Sequence, residues 1–311
     1  MMSDSQSIDP RFQFVKLDRQ ASEVITAPKY SYWGSVFKQF FSHKVAIVML
    51  VLLALVLGMS FIQPLFSGYD FMNTDTINDF SKRYNYPSWG EWFGTDPNGQ
   101  SLFDAVWAGA RTSIAIAVLA TLITEVIGIT VGMIWGNSKK IDRFMLEVYN
   151  VVANVPTLVI VLVLAFAFGR GFWNLLLAMT VTTWVGSAFG IRVQTMIIRD
   201  REYNLASRAL GTPTRRLLTK NMLPYLISYI VTDLSNIVPV FISLEVFLSF
   251  LGVGLPANVP SLGRLISQYA TNLTNYSYLF WIPVGVLALV SMTLYIVGQT
   301  LADAADPRTH R

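Results

Sequence analysis

Residues 202–224 read EYNLASRALGTPTRRLLTKNMLP, a densely basic stretch between two strongly apolar runs. A loop that only joins two membrane helices can be about four residues long, so this stretch has a structure of its own. Apolar residues at helical spacing before Gly211 predict a short helix with one apolar face. Gly211 favours a helix end, and Thr212 with Pro213 predicts the N-cap and first turn of a second helix. We therefore expect a helical hairpin whose second helix ends near Pro224 and whose apolar face is available to a partner.

The apolar runs on either side of the hairpin belong to a set of six. About 20 apolar residues cross a hydrocarbon core of about 30 Å. The chain is 53% hydrophobic and 14% charged, whereas about a quarter of the residues of a soluble domain are charged. The six predicted spans are residues 44–66, 109–135, 144–168, 173–193, 225–251 and 278–301. They predict an all-α polytopic membrane protein.

The segments outside the spans differ in charge and composition. Residues 1–43 are polar and lack the apolar core of a secretory signal, which predicts a cytoplasmic tail. A surface-lying amphipathic segment at about 30–41 is the alternative. Residues 67–107 are acidic and aromatic, and either contact a partner or form a solvated spacer. The other predicted parts are a core domain of five spans at 108–301, its cytoplasmic loop at 195–224, and a cytoplasmic C-terminal tail at 302–311.

The positive charges are distributed unevenly between the two ends of the spans. The N-terminal part, the 137–143 turn, the 192–224 loop and the C-terminus together hold 18 of the 23 Lys and Arg residues. An excess of Lys and Arg marks cytoplasmic segments. Both termini and the hairpin are therefore predicted to be cytoplasmic. The same distribution explains the pI of about 9.2 without nucleic acid as a partner.

The sequence argues against catalysis by this chain. It has no cysteine, so neither a disulfide nor a thiolate site is expected. It has no GK dipeptide and hence no Walker A loop for nucleotide phosphates. His43 and His310 both lie outside the predicted spans. We expect no catalytic residue, metal or cofactor in this chain, and any ATP hydrolysis must occur on another polypeptide.

Four carboxyl groups lie within or near the predicted spans, at Glu125, Glu147, Asp233 and Glu245, and Glu147 is close to the cytoplasmic end of its span. A carboxylate at the centre of a bilayer costs about 2.5–3.5 kcal/mol on insertion scales, so each should face a pore or a partner. Glu125 and Asp233 either line a translocation path or hydrogen-bond to a neighbouring helix. A separate pattern, glycine at every fourth position over 128–136, predicts close packing between helices.

The hairpin resembles the EAA loop of permease subunits from ATP-binding-cassette importers, E-A-A-x3-G-x9-I-x-L-P. Aligned on Gly211, residues 205–207 (LAS) occupy the E-A-A positions, and NMLP occupies I-x-L-P. Leu205 replaces the glutamate, so any role of that glutamate does not carry over. Asn221 likewise replaces the isoleucine. The glycine, the first alanine and the Leu-Pro pair keep their spacing.

Three further segments resemble the peptide-importer branch of the same family. GTDPNGQSLFDAVWAGARTSIAIAV at 94–118 is similar to its G-T-D-x2-G-R-D…G-A-R-x-S-L segment. EVFLSFLGVG at 245–254 is similar to a family segment in which a glutamate precedes L-S-F-L-G-x-G, which suggests a place for Glu245 near the gate or the permease interface. The ending LADAADPR also matches. The resemblance covers about 31–308 and is nearest to the second permease of dipeptide and oligopeptide importers.

The resemblance implies a type I importer permease in a bacterial cytoplasmic membrane, with both termini inside. It implies four kinds of partner: the lipid bilayer, a homologous second permease, two ATPases that hold ATP and Mg²⁺, and an extracellular or periplasmic peptide-binding protein. ATPase contacts are expected at Tyr203, Leu205, Ala206, Ser207, Arg208, Ala209, Leu210, Gly211, Thr212, Pro213, Arg215, Leu223 and Pro224. The hairpin would transmit ATPase closure to the spans.

Two other classes of function stay open at this point. A stand-alone channel or ion-coupled secondary transporter would use Glu125, Asp233 and Glu245, the candidate residues of a translocation path or gate. A membrane scaffold would need no transport residues. Among substrates, peptides are the first expectation, and related permeases carry nickel chelates, glutathione and other small solutes.

Overall fold

The computed structural model describes residues 32–72 and 79–306, and this part of the chain is helical without a β-strand. Its longer helices are α1 (Tyr32–Ser42), α2 (Lys44–Phe66), α3 (Leu102–Asn137), α4 (Lys139–Ala153), α5 (Thr157–Phe168), α6 (Phe172–Thr180), α7 (Trp184–Arg199), α8 (Glu202–Ala209), α9 (Thr214–Arg216), α10 (Leu223–Phe250), α11 (Leu262–Tyr269) and α12 (Ser277–Ala305). A π-helical turn, Leu217–Met222, joins α9 to α10, and short 3₁₀ turns occur at Phe80–Lys82 and Ala270–Asn272.

Five helical stretches are long and apolar enough to cross a membrane, and the bent pair α4–α5 makes up to six. The five are Lys44–Phe66, Leu102–Asn137, Phe172–Arg199, Thr214–Phe250 and Ser277–Ala305. α3 is longer than the predicted 109–135 because it begins at a proper cap. The Ser101 hydroxyl there accepts a hydrogen bond from the Asp104 amide at 3.4 Å. The first turn is apolar apart from Asp104, so the predicted bound of 109 lies later than the sequence required.

Two of the predicted spans are interrupted. The span expected at 144–168 consists of α4 and α5, which meet at 79° across a short break. Pro156 lies in that break, and it has no N–H with which to continue the ladder of helical bonds. The span expected at 173–193 consists of α6 and α7, separated by a turn at 181–183. Hydrophobicity alone sees neither interruption because both flanking segments are apolar.

The N-terminal tail is partly helical. Residues 32–42 form α1, so the amphipathic alternative describes this part of the tail better than an unstructured one. Val36 and Phe40 are buried against the end of α12, and the Tyr32 hydroxyl donates to the Ala305 carbonyl at 2.8 Å. The remaining predicted tail residues, 1–31 and 307–311, lie outside the described residues, as do 73–78 of the acidic segment.

α3 lies at the centre of the helix packing, and its glycines contact α7. A Cβ atom at Gly128 would lie 2.4 Å from the Ser187 hydroxyl, and one at Gly132 would lie 2.5 Å from the Ala188 carbonyl. A Cβ atom at Gly136 would lie 2.7 Å from the Arg192 carbonyl of α7. The predicted close packing at these glycines is confirmed.

The described part of the acidic segment folds onto α11 and α12. Asp96 is buried, and its carboxylate accepts hydrogen bonds from the Asn98 and Gln100 amides, each at 2.8 Å. The Tyr269 hydroxyl of α11 approaches the same carboxylate at 3.3 Å, although burial still raises the pKa of Asp96. The chain around this turn is thus anchored to the membrane domain, unlike a free solvated spacer.

Candidate functional site

The hairpin forms as a sharp turn between α8 and α9. Gly211 has a φ of +76°, and its N–H donates to the Arg208 carbonyl at 2.9 Å. The Thr212 N–H donates to the Ser207 carbonyl at 3.0 Å. These two bonds with a left-handed glycine are the Schellman ending of a helix. Thr212 therefore closes α8 through its backbone, and the prediction that it caps the second helix is wrong, since Pro213 holds that position.

The second arm of the hairpin does not stop at Pro224. Thr214–Phe250 forms one continuous stretch that leads directly into the membrane. The π-helical turn makes this possible, since the Leu223 N–H bonds back to the Leu218 carbonyl and Pro224 lies in the first turn of α10. A proline in a first turn lacks an N–H that would have no helical partner there anyway. Any displacement of the second arm is thus passed on to α10.

Buried polar side chains fix the hairpin to the membrane domain. The fully buried Asn204 side chain donates to the Ile198 carbonyl at 2.8 Å. The buried Arg199 side chain donates to the Gly136 carbonyl at 2.9 Å and pairs with Asp200 through two contacts of 2.8 Å each. That guanidinium holds the pKa of Asp200 below its ordinary value. Neither anchor was predicted from the sequence, although Asn204 lies next to the apolar residues of a short amphipathic helix.

The two arms also differ in which face is covered. Leu217, Leu218 and Met222 of the second arm are buried in a cluster with residues of α3, α7 and α10. In the first arm, by contrast, Leu210 is 87% exposed and Leu205 49% exposed. Apolar side chains at the tip of the hairpin are therefore left uncovered by the described part of the chain. Together with the half-exposed Tyr203 they form what we call the hairpin tip face.

The thirteen predicted coupling residues lie together in this hairpin but do not all face outward. The exposed members are Tyr203, Leu205, Ala206, Ala209, Leu210, Gly211, Pro213, Arg215 and Pro224. Ser207, Arg208, Thr212 and Leu223 are partly buried, and several of them hold the hairpin together. Asn221 donates to the Ser207 hydroxyl across the two arms at 3.2 Å, and Arg208 donates to Asn137 at 2.5 Å.

Glu245 is fully buried and surrounded by serine hydroxyls. Ser113 of α3 and Ser249 of α10 each donate to its carboxylate at 2.7 Å. Ser261 contributes a further hydrogen bond and also caps α11. This Glu245 cluster joins α3, α10 and α11. The side chain faces these hydroxyl groups, and its predicted place near the gate or the permease interface stays a prediction.

Glu125 and Asp233 lie side by side between α3 and α10, with fewer donors. Ser187 of α7 donates to Glu125 Oε1 at 3.0 Å. Glu125 Oε2 and Asp233 Oδ2 are buried without an amide, hydroxyl or basic donor among the described residues, so the two carboxyl groups can bond to each other only through a shared proton. The structure brings these two predicted residues together as one Glu125–Asp233 pair and keeps Glu245 apart. Glu125 bonds to a neighbouring helix, as one of the two alternatives predicted, and a role of the pair in a translocation path stays a prediction.

A cavity of about 530 Å³ opens where the two interrupted spans meet α10. α4, α5, the 181–183 turn, α7 and α10 contribute its walls. Thr183 lines it and also contacts Thr124, the neighbour of Glu125, with 3.2 Å between the hydroxyl oxygens. The cavity therefore lies beside the Glu125–Asp233 pair. Neither carboxyl group lines it directly.

Comparison with known proteins places this architecture. Residues 128–311 match the family described as "Binding-protein-dependent transport system inner membrane component", and residues 31–87 match "N-terminal TM domain of oligopeptide transport permease C". The chain is 60% identical over 301 residues to the oligopeptide transport system permease protein AmiD of Streptococcus pneumoniae, covering 97% of this chain and 98% of that protein. It is 34% identical over 291 residues to the oligopeptide permease OppC of Bacillus subtilis, covering 93% and 94%.

A solved structure shares the fold. The inward-facing MetNI methionine ABC transporter aligns with a TM-score of 0.52 and 16% identity, over 65% of this chain and 96% of that one. The likeness at this identity concerns the fold of a type I importer permease.

Proposed function

Because this chain belongs to the family of binding-protein-dependent transport system inner membrane components, we propose that it is a permease subunit of an ATP-driven importer of di- and oligopeptides. The relatives that it matches over nearly their whole length are oligopeptide and dipeptide permeases. In this proposal the chain pairs with a homologous second permease and with two ATPases, and a binding protein delivers the peptide from outside. ATP and Mg²⁺ reside on the ATPases.

The observation that carries the proposal is the hairpin tip face. Its apolar side chains are exposed at the end of a hairpin that buried Asn204 and Arg199 hold rigidly. Exposed apolar patches mark interaction sites, and an amphipathic helix commonly binds in a hydrophobic groove. A groove on an ATPase therefore fits this face.

The connection from the hairpin to the membrane explains how ATP could drive transport. The first arm follows α7, and the second arm continues through the π-helical turn into α10. When the two ATPases close on ATP, both arms would move with them and change the position of α7 and α10. Such rigid-body rearrangement would convert inward-facing to outward-facing states.

The test replaces Leu210, the most exposed apolar residue of the hairpin tip face. We expect Leu210→Asp to reduce the ATPase that co-purifies with the permease about tenfold or more, because a charge would be buried in an apolar contact. The matched control is Phe80→Asp, since Phe80 is 77% exposed but lies at the opposite end of the spans. Retention of the full ATPase complement by Leu210→Asp would contradict the proposed contact.

Peptide uptake by the complete importer tests the rest. In proteoliposomes with the binding protein, we expect uptake of a labelled tetrapeptide to require ATP and to persist when ion gradients are collapsed. Uptake that instead follows an ion gradient and ignores ATP would favour the ion-coupled transporter with Glu125 and Asp233 as its titrating groups. Uptake of another small solute in place of peptides would correct the substrate.

A further inference from the structure

The cavity beside the Glu125–Asp233 pair lies near the middle of the membrane, where an interrupted helix leaves backbone groups without hydrogen-bond partners. α6 has nine residues, and at 1.5 Å per residue the turn at 181–183 lies about 14 Å from the start of its span. That is close to the middle of a hydrocarbon core of about 30 Å. A gap in the helical hydrogen bonds is tolerated there only when protein buries the freed backbone groups or when they line a water-filled cavity. The break between α4 and α5 opens into the same cavity through Ala153 and Thr157.

The polar groups of the cavity are hydroxyls. Thr157, Thr182 and Thr183 line it, and the Thr182 hydroxyl is buried without a hydrogen-bond partner among the described residues. An unpaired buried hydroxyl is costly, so it points to a bonding group that enters the cavity. The rest of the lining is apolar apart from Tyr149, and includes Leu158, Val240 and Phe241. No acidic or basic side chain is among these lining residues.

We propose that this cavity is a contact site for the peptide in transit, a step that rests on the proposed function. The threonine hydroxyls would meet backbone amide groups, and the apolar wall from α5 and α10 would receive an uncharged side chain. The cavity volume of about 530 Å³ lies within the range of about 300–1,000 Å³ that is typical of ligand sites. A charged side chain would lose its hydration here without a counter-charge among the lining residues.

Two other occupants make different predictions. A lipid acyl chain would fill the apolar wall but could not bond to Thr182. A helix of the second permease could cover the cavity permanently, and peptide would then have no access. Among these, peptide accounts for both the unpaired hydroxyl and the two helix breaks.

The experiment uses the absence of cysteine from this chain. Leu158→Cys places a thiol on the cavity wall, and Phe80→Cys places one outside the membrane spans, where Phe80 is 77% exposed. Each complete importer is reconstituted with its binding protein and treated with a small water-soluble maleimide, and the unsubstituted importer gives the background from other subunits. The probe peptide is tetraleucine, supplied with ATP.

We expect tetraleucine with ATP to slow labelling of Leu158→Cys about fivefold or more and to leave labelling of Phe80→Cys unchanged. Failure of the reagent to reach Leu158→Cys under any condition would indicate lipid or a covering helix and would overturn the site. Equal labelling with and without peptide would overturn it as well. If the unsubstituted importer takes up no peptide with ATP, the proposed function itself has failed, which is a separate outcome.

A second pair of variants tests the hydroxyl. Thr182→Val keeps the shape of the side chain and removes the hydroxyl, and we expect the KM for tetraleucine uptake to rise about 2- to 10-fold, with kcat and melting temperature unchanged. Thr130→Val is the control, since the exposed Thr130 hydroxyl bonds only to its own helix at the Val126 carbonyl, at 2.7 Å. An unchanged KM in Thr182→Val would overturn the role of the hydroxyl.

Discussion

The same two helices, α3 and α10, are joined by polar groups at two levels that differ in their hydrogen bonding. At one level Ser113 of α3 meets Glu245 of α10, and at the other Glu125 of α3 meets Asp233 of α10. On each helix the two positions are 12 residues apart, which is about 18 Å along the axis. The Glu245 cluster supplies a hydroxyl donor for each carboxylate oxygen. The Glu125–Asp233 pair has one serine donor, from Ser187, and Glu125 Oε2 and Asp233 Oδ2 can bond only through a proton that the two carboxyl groups share.

This difference separates a rigid end of the helix pair from an adaptable one. A fully satisfied buried network holds one arrangement, whereas a partly satisfied one costs free energy in that arrangement. The unsatisfied level also lies on the side toward the hairpin, beside the cavity and the interrupted α6–α7 span. We therefore expect α3 and α10 to stay together at Glu245 and to rearrange near Asp233 during transport.

The largest effect on stability is expected when the Glu245 cluster loses its carboxylate. Glu245→Ala leaves the buried Ser113 and Ser249 hydroxyls without their acceptor, at a cost of about 1–3 kcal/mol for each unpaired group. We expect a clear fall in the melting temperature of the purified importer in detergent, and less protein in the membrane. Glu245→Gln, which keeps one acceptor oxygen, should fall between this variant and the unsubstituted chain. If Glu245→Ala melted at the same temperature as the unsubstituted chain, the Glu245 cluster would not be the rigid end of the α3–α10 pair.

An intermediate effect on stability should follow when a larger residue is placed next to the Glu125–Asp233 pair. In Gly128→Ala the new Cβ would lie 2.4 Å from the Ser187 hydroxyl, which is the donor to Glu125. Overpacking typically costs about 1–3 kcal/mol, and here it also displaces the one bonded hydroxyl. We expect a lower melting temperature together with slower peptide-dependent ATP hydrolysis. Gly58→Ala is the control, since no atom lies within 4 Å of a Cβ at Gly58.

The smallest effect on stability should come from giving the Glu125–Asp233 pair a further hydrogen-bond donor. Asp233→Asn introduces an amide that can donate to Glu125, so the free energy of unfolding should stay unchanged or rise by up to about 1 kcal/mol. If this level has to rearrange during transport, peptide uptake should nevertheless slow. The control is Glu147→Gln, which neutralises an exposed carboxyl on α4. A less stable Asp233→Asn importer with normal uptake would reverse the assignment of the adaptable end.

Features that depend on neighbouring residues were predicted from the sequence, whereas contacts between distant residues were not. The hairpin turn was predictable from Gly211, because its left-handed φ depends on neighbouring residues alone. The continuation of the second arm through Pro224 was missed, because a π-helical turn leaves no composition signal. Glu125 and Asp233 were recognised as costly in a membrane, but not as partners, since 108 positions separate them in the chain.

The sequence by itself determined that the chain is a helical membrane protein with a basic hairpin between two spans. Hydrophobic length, charge and turn chemistry are properties of contiguous residues, so they can be read without a fold. Only the tertiary structure decided that one buried carboxylate is satisfied by serines from three helices while two others face each other. It also decided that two helix interruptions share one cavity. These outcomes depend on which distant residues the packing brings within hydrogen-bonding distance.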